Sequence, residues 1–190
     1  KVAPATPKPK VIPKAIPVEE ATNRKDTYKQ MELSMDNLNK REPKSTKGMN
    51  TRGRLKIGIR WSKEVDLDLY SAPQKKLNEL SYKHRTEPFG KFWKDHTSAT
   101  TSCEIVEFIK EVDLRDVVSS VNFYAGSSRG GVTGEVVLFF TPSGSGEEYV
   151  FTSTFHISAS SGNRGQDISQ RHSHRNWVIL DVAKIAKLNR

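Results

Sequence analysis

From Leu55 onward, apolar and polar residues take turns. The stretch "LKIGIRW" sets Leu55, Ile57, Ile59 and Trp61 against Lys56, Gly58 and Arg60. Side chains alternate between the two faces of a strand, so this pattern predicts a strand with one buried face, and its parity assigns Trp61 to the core. "VDLDLY" at 65–70 repeats the pattern with Val65, Leu67 and Leu69 against Asp66 and Asp68. Further runs rich in β-branched and aromatic residues fall at 102–109, 120–126, 134–142, 148–158 and 176–182, where parity also assigns Trp177 to the core. Each is bounded by Gly, Ser, Pro or Asn, which predicts short strands joined by turns. About seven such strands favour an antiparallel β-sandwich over a βαβ fold. "DLRDVV" at 113–118 reads as a short helical turn, and "DVAKIAKLNR" at 181–190 as a last strand or helical turn.

The period is different upstream. In residues 24–42, Tyr28, Met31, Met35 and Leu38 follow one another at intervals of 3, 4 and 3, the apolar stripe of an amphipathic helix, and Pro43 ends it. Fewer than two heptads cannot sustain a coiled coil, so the helix must dock, and we expect it to dock on its own domain. Residues 1–18 carry Pro4, Pro7, Pro9, Pro13 and Pro17 among Lys, Val and Ile. Proline fixes φ and removes a donor, which predicts an extended, polyproline-II-like spacer without a core. The expected organisation is an arm at 1–23, an amphipathic helix at 24–43 and a β-sandwich domain at 44–190.

Charge is uneven along the chain. Of the formal net charge of +9, most belongs to the N-terminal segment: residues 1–56 hold fourteen Lys and Arg against six acidic residues. The remainder, from residue 57 on, is nearly neutral. No apolar run reaches the roughly 20 residues that span a bilayer, so no membrane span is expected. With one cysteine, Cys103, there is no internal disulfide and no cysteine-rich metal site. The chain opens at Lys1 without a leader, and we expect a piece of chain to precede it.

Two long connections carry the candidate contacts. Residues 81–101, "SYKHRTEPFGKFWKDHTSATT", bring Arg85, Phe92, Trp93 and Lys94. Residues 159–175, "ASSGNRGQDISQRHSHR", bring Arg171, His172 and His174. Long polar loops in compact domains tend to carry function, and aromatic and arginine side chains are the usual interface anchors. We therefore take Arg85, Phe92, Trp93, Lys94, Arg171, His172 and His174 as the expected partner-binding residues. A zinc site at His172 and His174 would need further ligands, and neither HExxH nor a Cys/His array is present. There is no G-x-S-x-G elbow and no P-loop.

Asp66 and Asp68 pose the remaining chemical question. On one strand face their carboxylates lie roughly 7 Å apart. They read as the polar face of an edge strand, accepting hydrogen bonds from a neighbouring loop, or as ligands of a cation, with Glu64 at the same parity as a third carboxylate. Acid–base work on a glycoside needs carboxylates flanking a bond, and an i, i+2 pair lies on one side of it.

The succession "IGIRW", "VDLDLYSAP", "VDLRDVVSSVNFYAG" and "GGVTGEVVLFF" resembles two groups of bacterial β-sandwich domains. One is the tellurium-resistance TerD-like domain, whose acidic strand is similar to "DLDLYS". The other is an envelope-associated domain of unknown function with a "DVDLHV" strand. The TerD-like resemblance implies calcium, with Asp66 and Asp68 among its ligands, although the second acidic loop of that family has no counterpart in "GSSRGGVTG" or "SSGNRGQD". We expect a non-enzymatic binding or assembly module of the bacterial cell envelope, periplasmic or at the surface. It would need no cofactor, or calcium at Asp66 and Asp68, and would meet a protein partner. The alternatives are a nucleic-acid-binding or viral coat-like sandwich using the basic arm, and a carbohydrate-binding sandwich.

Overall fold

The computed structural model describes residues 45–93, 95, 97 and 102–188, so the expected arm at 1–23, the helix at 24–43 and Lys94 lie outside the described residues. Within them the chain is mainly β, in two antiparallel sheets. The strands are β1 (Arg52–Trp61), β2 (Asp66–Ala72), β3 (Thr86–Glu87), β4 (Gly90–Phe92), β5 (Ser102–Phe108), β6 (Val112–Asp113), β7 (Val118–Ala125), β8 (Val132–Pro142), β9 (Tyr149–Ile157) and β10 (Trp177–Ile179). A four-residue helix, α1 (Val182–Ile185), follows β10, with the Asp181 side chain accepting from the Lys184 amide at its start.

The large sheet runs β3-β4-β5-β1-β8-β9, and β6 takes over from β5 beside the start of β1. The small sheet runs β10-β7-β2. Leu55, Ile57, Ile59 and Trp61 from β1 share one hydrophobic cluster with Leu67 and Leu69 from β2 and Val121 and Phe123 from β7. The two sheets thus bury their facing sides against each other, as the period-two pattern requires.

Two local expectations change. Residues 81–101 are not one loop: β3 and β4 form a hairpin inside them that extends the large sheet through β5. Residues 114–116 form a single turn after β6, closed by the Asp116 amide on the Asp113 carbonyl, as the sequence there suggests. Trp61 is a core residue, but Trp177 is buried on the other side of the small sheet, against Tyr70 at 5.1 Å between ring centroids. Trp177 lies opposite Asn122, and residues directly opposed across a ladder share a face. Its burial comes from the 159–175 connection, whose Gln166 carbonyl accepts from the indole Nε1 at 2.8 Å.

One polar device stitches the two sheets. Glu104 on β5 lies opposite Ile59, so its side chain enters the interior, where it is fully buried. Its Oε2 accepts from the Leu69 amide at 2.8 Å. β2 is an edge strand, and this bond occupies an outward-pointing donor that would otherwise be buried without a partner.

A carboxylate cluster and the cleft beside it

On β2, Asp66, Asp68 and Tyr70 turn away from the shared core while Leu67 and Leu69 enter it. On a bare sheet this face would be wet. Here every residue of β2 is buried, and Asp66 and Asp68 keep only 7% and 2% of their surface. The cover comes from the connection after β2. A bridge between Ser71 and Leu80 turns the chain back along the strand edge, and the β3–β4 hairpin then brings Asp95 over the face. Arg85 fastens this segment: its Nη2 donates to Asp95 Oδ2 at 3.2 Å and its Nε to the Tyr82 carbonyl at 3.1 Å.

The outcome is three carboxylates, Asp66, Asp68 and Asp95, whose nearest oxygens all lie within 4.8 Å of one another. Asp66 Oδ1 and Asp68 Oδ2 are closed off from solvent and have no hydrogen-bond partner. A buried carboxylate oxygen without a donor costs several kcal/mol if it stays charged. The chain has two ways to remove that cost, a proton or a cation. Burial, with the charge of Asp95 added, pushes Asp66 up to about 6. Burial, together with Asp66 and Asp95, pushes Asp68 up to about 8, while Lys83 pulls the other way. The donor set is all oxygen, which suits a hard cation. Two oxygens on opposite sides of Ca²⁺, each about 2.3–2.6 Å from it, are roughly 4.6–5.2 Å apart, so oxygens within 4.8 Å of one another can share one such ion.

Tyrosine rings flank the cluster. Tyr82 contacts Tyr70 at 6.4 Å and Tyr124 at 5.4 Å between centroids, and Lys83 stands over the Tyr82 ring at 5.4 Å. Burial, with the charge of Asp68 added, pushes the Tyr70 hydroxyl up, so it stays protonated. The register slips by one residue between Asp66 and Leu67, which leaves Tyr124 as the extra residue on β7.

No family model, curated protein or solved structure matches this chain.

The expected site residues are therefore judged by their positions alone, and they fall in three places. Arg85 joins Asp66 and Asp68 through Asp95. Trp93 lies on the outer face of the large sheet, its Nε1 donating to Glu107 Oε2 at 3.0 Å. Arg171, His172 and His174 belong to the 159–175 connection. There Arg171 pairs with Glu79 at 2.6 Å and donates to Ser120 Oγ at 3.2 Å, His174 Nε2 faces Asp167 at 3.4 Å, and His172 is exposed. Phe92 is a correction: it is buried in the shared core and offers no exposed surface, because β4 joins the large sheet with its ring turned inward. Glu64 is another. The chain bends at 63–65, β2 begins at Asp66, and the exposed Glu64 is outside the cluster. Asp66 and Asp68 are not a wet face, and the oxygens named above receive no bond from a loop.

The long connections do meet at one feature. A cavity of about 440 Å³ lies beside Tyr70, with Lys83 and His84 from the first connection and Ile168 and Arg171 from the second among its lining. Lys75 and Lys76, from the turn after β2, add charge. Four cationic side chains face Glu79 as the one carboxylate in this lining, and Glu79 is already paired with Arg171. Lys83 lines the cleft and also acts on Asp68, so the acidic cluster and the basic cleft share a wall.

Asn122 was not legible as a functional residue. Fully buried on β7, it donates to Asn163 Oδ1 at 2.9 Å and to the Asn176 carbonyl at 3.2 Å. Its Oδ1 accepts from the Gly165 amide at 3.1 Å. One side chain thus pins both ends of the second connection to the small sheet. Asp95 was equally hidden, since nothing in its own neighbourhood marks it as a partner of residues 27 and 29 positions earlier.

Proposed function

We propose that this domain is a non-enzymatic, calcium-dependent binding module, a two-sheet β-sandwich whose bound ion fixes the first long connection at the edge of a basic cleft. Asp66, Asp68 and Asp95 would hold the ion, with backbone carbonyls and water completing the six to eight oxygens that Ca²⁺ takes. The single observation that carries this reading is the pair of unpartnered, solvent-closed oxygens, Asp66 Oδ1 and Asp68 Oδ2, on two of three carboxylates that come within 4.8 Å of one another. Two of the ligands stand on a rigid strand and the third on the connection, so binding would transmit order from β2 to the cleft wall at Lys83 and His84. The charge of the cleft suits an acidic group on the partner. The similarity of "DLDLYS" to the acidic strand of TerD-like domains supports the same ion, although here the third carboxylate comes from a different part of the chain.

The test is a thermal melt of the full chain in 1 mM CaCl₂ and in EGTA, repeated on Asp66→Asn with Asp68→Asn. Ligand at a hundred times its dissociation constant stabilises by about 2.7 kcal/mol, so the midpoint should rise by roughly 5–10 °C in calcium and not at all in the double variant. An equal midpoint in calcium and EGTA for the native chain would sink the proposal. The nucleic-acid reading then becomes the one to pursue, through affinity for single-stranded oligonucleotides that falls steeply with salt.

A further inference from the structure

The outer face of the large sheet should be its solvent side, and at its ends it is: Arg54, Thr133 and Thr154 are exposed. The middle is different. Cys103 and Ile105 on β5, Val137 and Phe139 on β8 and Val150 on β9 form a second hydrophobic cluster, separate from the shared core. Gly58 on β1 lies between Ile105 and Val137 in the same row. All of these residues are buried, and Ile105 and Val137 keep no exposed surface. A sheet face reaches that state only under a covering layer. Among the described residues, Trp93 is the hydrophobic side chain packed against this cluster, and it sits at one margin, hydrogen-bonded to Ile105 and Glu107 of β5.

We propose that residues 24–42 of this chain dock on that face as an amphipathic helix, with Tyr28, Met31, Met35 and Leu38 laid across Gly58. Length supports this occupant: the cluster spans β5, β1, β8 and β9, three strand spacings or about 14 Å, and Tyr28 to Leu38 is ten helical rises, about 15 Å. Gly58 has no side chain, so between Ile105 and Val137 the apolar stripe would meet backbone. Reach supports it too. The described chain resumes at Ser45, five residues before Asn50, which bonds the Ser143 carbonyl at the β8 end of the large sheet. From Leu38, four helical rises to the end of the helix and three extended steps to Ser45 span up to about 16–17 Å. From Gly53, paired with Pro142 at that end, to Gly58 is five strand rises, about 17 Å. Charges rim the patch in both signs, with Arg60 paired to Glu135 and Lys56 to Glu148, matching the Lys29, Glu32 and Asp36 that flank the stripe. Docked in this way, the helix sends the Pro/Lys arm off the side of the domain opposite the carboxylate cluster. A tether and a calcium-dependent cleft would then not obstruct each other.

The chain's one thiol reports on this contact, because Cys103 belongs to the cluster. In the full chain we would measure the rate at which Ellman's reagent labels Cys103, then repeat it with Met31→Asp and Met35→Asp together. The expected result is a rise of at least tenfold with the near-ultraviolet circular dichroism of the domain retained. A rate equal to that of the native chain overturns the proposal, as does a native chain that is dimeric by mass and labels faster on dilution, which would make a second copy the cover. If the aspartates unfold the chain, single variants Tyr28→Cys, Met31→Cys and Met35→Cys keep the question open to decision. Mild oxidation of monomeric protein should join at least one of them to Cys103. Failure of all three overturns the proposal.

Discussion

Asp68 and Asp95, 27 residues apart, bring carboxylate oxygens to within 4.8 Å of each other on a buried strand face. Asp66 adds a third oxygen within the same limit. Nothing in the hydrogen bonding of Asp66 Oδ1 or Asp68 Oδ2 offsets this concentration of negative charge, and the consequences reach stability, metal affinity and pH response.

The pH response of the cation-free protein should run opposite to ordinary acid denaturation. Asp66 and Asp68 have folded-state values raised to about 6 and about 8, against unfolded values near 3.8. A raised carboxyl contributes stability that is complete below its unfolded value and lost as pH rises through its folded one. In EGTA the midpoint should therefore fall between pH 5 and pH 9, and calcium should restore it most at the alkaline end. Melts at one-unit intervals check this. A midpoint in EGTA that climbs through that window would contradict it.

Asp95→Asn tests the ligand supplied by the connection. The strand keeps both its aspartates, while the ion loses a charged ligand and the Arg85 clamp loses an ion pair. Calcium affinity should drop at least tenfold by isothermal titration, and the EGTA midpoint should change little or rise, since one source of repulsion is gone.

Glu104→Ala should be among the costliest substitutions. It leaves the Leu69 amide buried without its acceptor and opens space between the sheets. A loss of about 3 kcal/mol is expected, or roughly 6–12 °C for a domain of this size. Glu104→Gln keeps an acceptor oxygen and should lose less than half as much by the same denaturation measurement.

Asn122→Ala should loosen the second connection without unfolding the sheets. Three hydrogen bonds to 163–176 vanish together, at a cost of about 2 kcal/mol. Cleavage by trypsin at Arg164 or Arg171 should accelerate several-fold, and the emission of Trp177 should shift to the red as its cover lifts. Unchanged cleavage would mean that Asn163 and Gly165 are held by other contacts.

Much of this architecture was legible locally. Alternation at Leu55–Trp61 and Val65–Leu69 located β1 and β2 and named their core residues, because a strand's two faces are recorded in its own residue order. The same logic placed Trp177 in the core, and it is buried, but on the far side of the small sheet, since parity tells one face from the other and says nothing of which long connection will cover the second. It also passed over the unbroken run Val136–Phe140, whose continuous apolar character is the mark of a strand buried on both sides. That run was the available sign that the large sheet has a covered outer face. Phe92 was taken for an exposed anchor because the β3–β4 hairpin draws its register from β5, a strand outside the stretch that contains Phe92.

The sequence by itself determined most of the longer strands, the core parity of β1 and β2, the concentration of positive charge in residues 1–56 and the presence of paired aspartates on β2. These are properties of neighbours, set by backbone periodicity and by the free energy of burying apolar surface. Only the tertiary structure decided that the aspartates are dry, that Asp95 in place of Glu64 joins them, that Asn122 pins a distant connection, and that two polar segments meet at one basic cleft. Those facts depend on which surfaces come to lie against each other. Contacts between distant segments are set by the packing of the whole chain, and no local pattern records them.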